Sequence, residues 1–198
     1  MSAFTDAVMA LSPLQYYRLN ETSGGAGALV DFSGTLGNGA INNAPTFSEP
    51  GATDDSDTCM LFTAASSEYC SGATQSQLSG ATAFSFNCFV KTAANDASYG
   101  VMSNRYSNSN LQYLYINADN TVELHIGSST YGNTYYDTAD TFDFTEWTML
   151  TVTYSAGTVK LYVNAVEYSV TETGSSQPVL HSFTPSALYI ATKSGGAP

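Results

Sequence analysis

Apolar and polar side chains alternate with a period of two along most of this chain, as they do in half-buried antiparallel strands. Phe84, Phe86, Cys88 and Val90 fall on one side of such a run, with Ser85, Asn87, Phe89 and Lys91 on the other. Leu114 and Ile116 alternate against Tyr113 and Tyr115. The polar segment Asn117 to Asn120 then turns the chain, and Val122, Leu124 and Ile126 return against Glu123 and His125. Trp147 to Tyr154, rich in Thr, Val and Leu, reads as a further strand. Ser155 to Gly157 turns it, and Val159, Leu161 and Val163 come back with Lys160, Tyr162 and Asn164 outward. Asn164-Ala165 stands where a two-residue hairpin favours Asn-Gly. A positive φ at Ala165 would cost about 1 kcal/mol, so a wider turn is the expectation there. Thr58 to Thr63, with Met60 and Phe62 on one face, reads as a hairpin that turns at Ala64 to Ser67 and returns through Tyr69. Val166 to Thr171 and Ala187 to Ala191 complete the strands. A helical period shows only where Phe4, Val8 and Leu11 form one short amphipathic turn ahead of Pro13.

About a dozen strands with short turns and no crossover helices predict an all-β, two-sheet antiparallel sandwich of the jelly-roll type. Residues 20–57, rich in Gly, Ser, Asn and Asp, read as a loop-like region holding two short strands. No internal repeat is visible, and 198 residues suit one sandwich domain spanning 1–198.

Composition narrows the partners. The formal charge is −12, with Arg18, Lys91, Arg105, Lys160 and Lys193 the only cations. That balance repels phosphate backbones, so nucleic acid and anionic membranes are poor partners, and no nucleic-acid partner is expected. No apolar run is long enough to span a bilayer, so no membrane insertion is expected. Met1 to Asp6 carries neither a basic segment nor an apolar stretch, so it does not read as a signal peptide. Either a signal has been removed or the protein reaches its site by assembly into a virion. Cys59, Cys70 and Cys88 make an odd count without metal spacing. Cys59 and Cys70 flank the expected hairpin and are read either as a cross-strand disulfide or as small buried apolar residues; Cys88 reads as core.

The opening segment Gln15-Tyr-Tyr-Arg-Leu-Asn-Glu-Thr-Ser-Gly24, followed by Asp31-Phe-Ser-Gly34 and Gly37-Asn-Gly39, resembles the first strand and loop of laminin-G-like, concanavalin A-like jelly rolls. The resemblance continues along nearly the whole chain. Cys59 to Thr63 with Ser67-Glu-Tyr69, Phe84 to Thr92, Asn117 to Val122, Glu146 to Tyr154, Lys160 to Asn164 and Leu188 to Ala191 are similar to the later strands of that superfamily, in order. Two departures stand out. The closing strand with an acidic pair and an arginine is missing after Gly196, which implies a domain truncated there or completed by another segment, and no glycine follows Asn164. Modular members of the superfamily mostly bind carbohydrates or proteins rather than catalyse. The form seen here also resembles domains on bacteriophage virion proteins. Asp31 with the Gly34 to Gly39 turn resembles the segment that supplies a structural Ca2+ ligand in some relatives, which implies a calcium site at Asp31.

A glycosidase needs two carboxylates about 5 to 9 Å apart across the scissile bond. The Glu-x-Asp-x-x-Glu strand of jelly-roll glycosidases does not occur, and Asp140, Asp143 and Glu146 fall in a turn before Trp147. His125 and His181 stand alone and read as surface or hydrogen-bonded histidines. No enzyme is therefore expected. Sugar binding asks instead for aromatic faces and polar groups for the hydroxyls. Phe89, Tyr113, Tyr115 and Tyr162 point away from the core set and would share one solvent face if their strands are neighbours. Tyr99, Arg105, Tyr106, Asn108, Tyr131, Asn133, Tyr135 and Tyr136 are expected in loops around it. Asp54, Asp55 and Asp57 read as a solvated acidic loop. The expected function is a non-catalytic recognition domain on a virion or extracellular surface, with a glycan or a virion or host-surface protein as partner. The alternative is a structural capsid or tail component, a decoration or fibre part, whose tyrosine-rich surface is buried in a homo-oligomer or assembly.

Overall fold

The computed structural model describes residues 3–53, 57–95, 97–104, 112–128, 132–174 and 187–191. These form one short α-helix, two single-turn 3-10 helices and fifteen strands, and the chain divides into two compact units, residues 1–74 and 75–198.

The first unit begins with α1 (Ala3–Ala10), the short helix its period predicts. Its strands are β1 (Gly25–Leu29), β2 (Gly39–Asn42), β3 (Thr46–Pro50), β4 (Thr58–Leu61) and β5 (Tyr69–Thr74). β2 pairs antiparallel with β1 and β5, whereas β3 and β4 form a separate antiparallel ribbon. The hairpin expected from Thr58 through Tyr69 is therefore not formed: its two arms take different partners. The loop-like region 20–57 holds three strands rather than two. Cys59 and Cys70 follow the arms apart, and all three cysteines are free thiols. Leu29, Ile41, Met60 and Cys70 are the buried apolar side chains of this unit. Gly72 is required by packing, since a Cβ there would sit 2.5 Å from the Tyr17 hydroxyl oxygen. That hydroxyl accepts the Ala73 amide at 3.2 Å.

The second unit is a sandwich of two antiparallel sheets. Its strands are β6 (Ala83–Val90), β7 (Tyr99–Ser103), β8 (Gln112–Ile116), β9 (Val122–Ser128), β10 (Gly132–Thr138), β11 (Thr148–Ser155), β12 (Thr158–Val163), β13 (Val166–Tyr168), β14 (Val170–Gly174) and β15 (Ala187–Ile190). One layer runs β13-β12-β11-β6, and the other contains β15-β7-β8-β9-β10-β14 in that order. Leu114, Ile116, Val122, Leu124, Ile126 and Tyr136 from the larger sheet meet Leu150, Val152, Tyr154, Leu161 and Val163 from the smaller. Each buried Leu, Ile or Val contributes roughly 1.5–3 kcal/mol. Phe84 stacks on Tyr154 with ring centroids 5.1 Å apart, tying β6 to the same core.

Three local differences from the sequence reading have clear causes. Val166 to Thr171 is not one strand: the chain leaves the smaller sheet after Tyr168 and enters the edge of the larger one at Val170. The Asn164-Ala165 turn is tight rather than wide. Val163 pairs with Val166, and both turn residues take positive φ, 49° and 65°. Tyr99, expected in a loop, lies on β7 with its ring against the core and its hydroxyl donating to the Ala94 carbonyl at 3.2 Å.

Candidate functional site

Two rows of side chains cross the outer face of the larger sheet. Cross-strand partners share a face, and residues two apart on one strand lie about 7 Å apart along it. The core takes Leu114, Ile116, Val122, Leu124 and Tyr136, so the intervening residues of β8, β9 and β10 point the other way. In the first row Tyr113 pairs with His125 and His125 with Tyr135. In the second, Tyr115 pairs with Glu123 and Glu123 with Asp137. Asn133 continues the β10 face beside Gly127.

The first row is a run of rings. His125 stacks on Tyr135 with centroids 4.3 Å apart and planes 14° apart. Tyr113 meets the other side of the imidazole edge-on, at 4.5 Å and 82°, and leans toward Tyr115 at 5.8 Å. Between these rings His125 is only 2% exposed. Neither of its nitrogens makes a hydrogen bond of acceptable geometry, although the Asn133 side chain is near enough to favour its charged form. Burial outweighs Asn133 and pushes the imidazole down to about 4, so it is neutral at physiological pH.

The second row holds a carboxyl pair. Burial first and the charge of Asp137 second push Glu123 up to about 7. Burial also raises Asp137, against hydrogen bonds from Glu123 and Asn117 that lower it. The two directions agree on one arrangement: Glu123 keeps a proton and donates it to Asp137, because two neighbouring carboxyls in a half-dry setting do not both ionise readily. The Tyr113 hydroxyl donates to Glu123 and limits the rise.

Of the expected ligand residues, Tyr113, Tyr115, Asn133 and Tyr135 are thus brought together, and Tyr135 and Asn133 sit on a strand rather than in a loop. Phe89 and Tyr162 do not join them. They lie on the outer face of the smaller sheet, Phe89 opposite Met149 and Tyr162 between Thr151 and Glu167. The single aromatic face is corrected to two, because β6 and β12 belong to the other layer. Tyr136 faces the core and is 2% exposed. Arg105, Tyr106, Asn108, Tyr131 and His181 lie outside the described residues. Glu123, His125 and Asp137 were not expected at the site. The outward alternation of Glu123 and His125 was the available signal.

Asp31, the expected calcium ligand, lies in the first unit and is 6% exposed. Its Oδ1 accepts the Tyr16 amide at 3.0 Å, the Ser33 amide at 3.0 Å and the Ser33 hydroxyl at 2.7 Å, while Oδ2 accepts the Leu36 amide at 3.3 Å. Burial would raise this carboxyl, but the hydrogen bonds together outweigh it and hold it below its ordinary value. Donors aimed at both oxygens place positive dipole ends where a cation would sit, so the donor set does not fit Ca2+. The carboxylate instead ties the opening segment to the turn at Ser33 to Leu36. Asp57, expected in a solvated loop, is bound by Arg18 and Asn20. Among the described residues, no group of three or more His, Cys, Asp or Glu is arranged to hold a metal ion, and no helix is long and apolar enough to cross a membrane.

Three solved structures share this architecture. Domain 4 of AbnA, a GH43 extracellular arabinanase from Geobacillus stearothermophilus solved with arabinotriose, is 17% identical, with a TM-score of 0.58 over 81% of this chain and 76% of that one. Botulinum neurotoxin type C, described through its interaction with two ganglioside molecules, is 15% identical, with a TM-score of 0.54 over 88% of this chain and 43% of that one. The binding domain of botulinum neurotoxin DC, solved with rat synaptotagmin II, is 13% identical, with a TM-score of 0.53 over 89% of this chain and 44% of that one. At these identities the likeness is one of fold. No curated protein sequence matches the chain. Residues 64–198, which hold every strand of the two-layered unit, match the family described as the concanavalin A-like lectin/glucanases superfamily, and the chain belongs to it.

Proposed function

We propose that this chain is a non-catalytic glycan-recognition domain acting on an extracellular or virion surface, with the outer face of the larger sheet as its binding surface. The observation that carries the reading is the row Tyr113, His125 and Tyr135 beside the pair Glu123 and Asp137: rings for an apolar sugar face next to hydrogen-bonding groups for hydroxyls. Structures of the same fold support it, one solved with arabinotriose and one described through ganglioside binding.

Two features argue against hydrolysis. Glu123 and Asp137 share a hydrogen bond, whereas glycosidase carboxyls stand about 5 to 9 Å apart to admit the anomeric carbon or a water. Asp143, in the turn before β11, is held down to about 2 by Thr145 and Asn95, so it cannot serve as a general acid at neutral pH.

The test is a glycan array with the full chain, Tyr135→Ala and Tyr113→Ala. Binding to at least one glycan class, weakened about tenfold or more in both variants, is the expected result. Binding that both variants leave intact would move the site elsewhere. A protein partner is the second reading, favoured by the neighbour solved with synaptotagmin II. Loss of self-association or of assembly into a capsid or tail in the same variants, with no glycan bound, would establish that reading instead.

A further inference from the structure

The ring row of the proposed binding face runs on past Tyr113, His125 and Tyr135. Tyr113 pairs with Ser103 on β7, and Ser103 pairs with Tyr189 on β15. Cross-strand partners share a face, and Leu188 is buried on the opposite side of β15, so Tyr189 stands on the outer face in line with the others. The row thus reads Tyr189, Ser103, Tyr113, His125, Tyr135. Its burial alternates: Ser103 and His125 are 5% and 2% exposed, whereas Tyr189, Tyr113 and Tyr135 are each only part-buried. Every second strand offers a phenol, and a buried side chain spaces it from the next. Strands lie about 4.8 Å apart, so successive tyrosines stand about 9–10 Å apart and the whole row spans about 19 Å. The ring distances agree, with His125 4.5 Å from Tyr113 and 4.3 Å from Tyr135.

Resting on the glycan-recognition reading, we propose that this row binds a stretch of a linear, uncharged β-1,4-linked polysaccharide laid across the strands, with Tyr189 as a further binding residue. In an extended β-1,4-linked chain alternate units present the same side. Its disaccharide repeat therefore returns an equivalent apolar patch at about the interval, two strand spacings, at which this row returns a tyrosine. A phenol suits such a contact because it joins an apolar ring to a hydrogen-bonding hydroxyl. A chain that follows the row meets a tyrosine with its first, third and fifth units. His125 and Ser103 touch no sugar in this arrangement; they hold the tyrosines at their spacing.

Charge and shape separate this ligand from its competitors. Glu123 and Asp137 lie beside the row, and the described cations are engaged elsewhere: Arg18 with Asp57, Lys91 with Glu146 and Lys160 with Glu167. A sulfated or uronic-acid chain would thus meet acids on a protein of formal charge −12, whereas a neutral chain meets no repulsion. An α-1,4-linked chain coils and does not bring the same side back at this interval. A single terminal sugar would cover one tyrosine and leave the alignment of Tyr189 with Tyr113 and Tyr135 without use.

Isothermal titration calorimetry of the full chain tests this with β-1,4-linked glucose, mannose and xylose oligomers from dimer to hexamer. The α-1,4 glucose hexamer and the β-1,4 mannuronate hexamer serve as controls. At least one neutral β-1,4 series gains about tenfold or more in affinity from trimer to pentamer and nothing further at the hexamer. Tyr189→Ala removes that gain and leaves trimer binding within about twofold, whereas Tyr189→Phe, which keeps the ring, retains the gain. Tyr135→Ala, at the other end of the row, loses the same gain, and thermal melts confirm folding of each variant. Trimer and pentamer binding alike, or a gain that survives Tyr189→Ala, overturns the extended row. Equal binding of the α-1,4 glucose hexamer overturns the linkage, and equal binding of the mannuronate hexamer overturns the neutral chain. Silence from every oligomer, with another glycan class binding on the array, overturns this ligand and leaves glycan recognition standing. Silence on the array as well overturns the proposed function with it.

Discussion

Replacing Glu123 by glutamine keeps the shape of the carboxyl pair and removes one acid, so its effect on stability depends on pH in a calculable way. Glu123 is raised from its ordinary 4.5 to about 7 by burial and by Asp137. A folded state that binds the proton more tightly than the unfolded chain gains stability that is fully present below 4.5 and is lost as pH rises through about 7. At full strength the shift corresponds to roughly 3 kcal/mol; solvent access to this half-buried group reduces it to about 1.5 kcal/mol. In Glu123→Gln the new side-chain amide still offers an N–H to Asp137, so the variant should match the wild type at pH 5. At pH 8 it should be the more stable by about 1.5 kcal/mol, or about 3–6 °C in Tm for a chain of this size. His125 also titrates on unfolding, but its contribution is common to both proteins and cancels in the difference. Urea unfolding followed by the fluorescence of Trp147, the single tryptophan, measures this at both pH values. An equal loss at pH 5 and pH 8 would mean that Glu123 acts through packing or through a different partner, and the shared proton would have to be abandoned.

Three further outcomes follow from single positions. His125 is pushed down from 6.5 to about 4 by burial, so its contribution is present above 6.5 and is lost as pH falls toward 4. His125→Phe, which keeps a ring between Tyr113 and Tyr135 but cannot protonate, should move the acid-unfolding midpoint to lower pH by circular dichroism; an unchanged midpoint would contradict the burial of a neutral imidazole. Ala165→Gly should stabilise the protein by about 1 kcal/mol in urea titrations, because Ala165 holds a φ of 65° that a Cβ disfavours. Gly72→Ala should cost about 1–3 kcal/mol, since its Cβ would lie 2.5 Å from the Tyr17 hydroxyl oxygen; a neutral result would show that the Tyr17 ring moves aside freely.

Strands whose inward residues are apolar in strict alternation were legible before any coordinates: β6, β8, β9, β11 and β12 match their alternation, and β8 and β9 form the expected hairpin, with Ile116 opposite Val122. The strand β10 was missed because its inward chemistry is different. β10 sends Thr134, Tyr136 and Thr138 toward the interior, each 3% exposed or less. In sequence those residues look like the loop that Gly132 and Asn133 suggest. Thr138 can be buried because its hydroxyl accepts the Val122 amide at 2.9 Å and donates to the Asp140 carbonyl at 3.0 Å, which no pattern of hydropathy reports. β7 hides for another reason. An irregularity between Gly100 and Met102 turns both Val101 and Met102 to the core and breaks the period of two. The candidate site was lost with β10. Glu123 and His125 were read outward from their alternation and Tyr135 was expected only in a loop, but without β10 nothing supplied Asp137 or set Tyr135 beside His125, and a lone acid and a lone histidine carry no chemistry. The site is a property of strand neighbours, set by pairing between residues 123 and 137 and between 125 and 135. One polar-faced strand therefore separates a correct fold from a visible site, and the residues most worth testing are those it contributes.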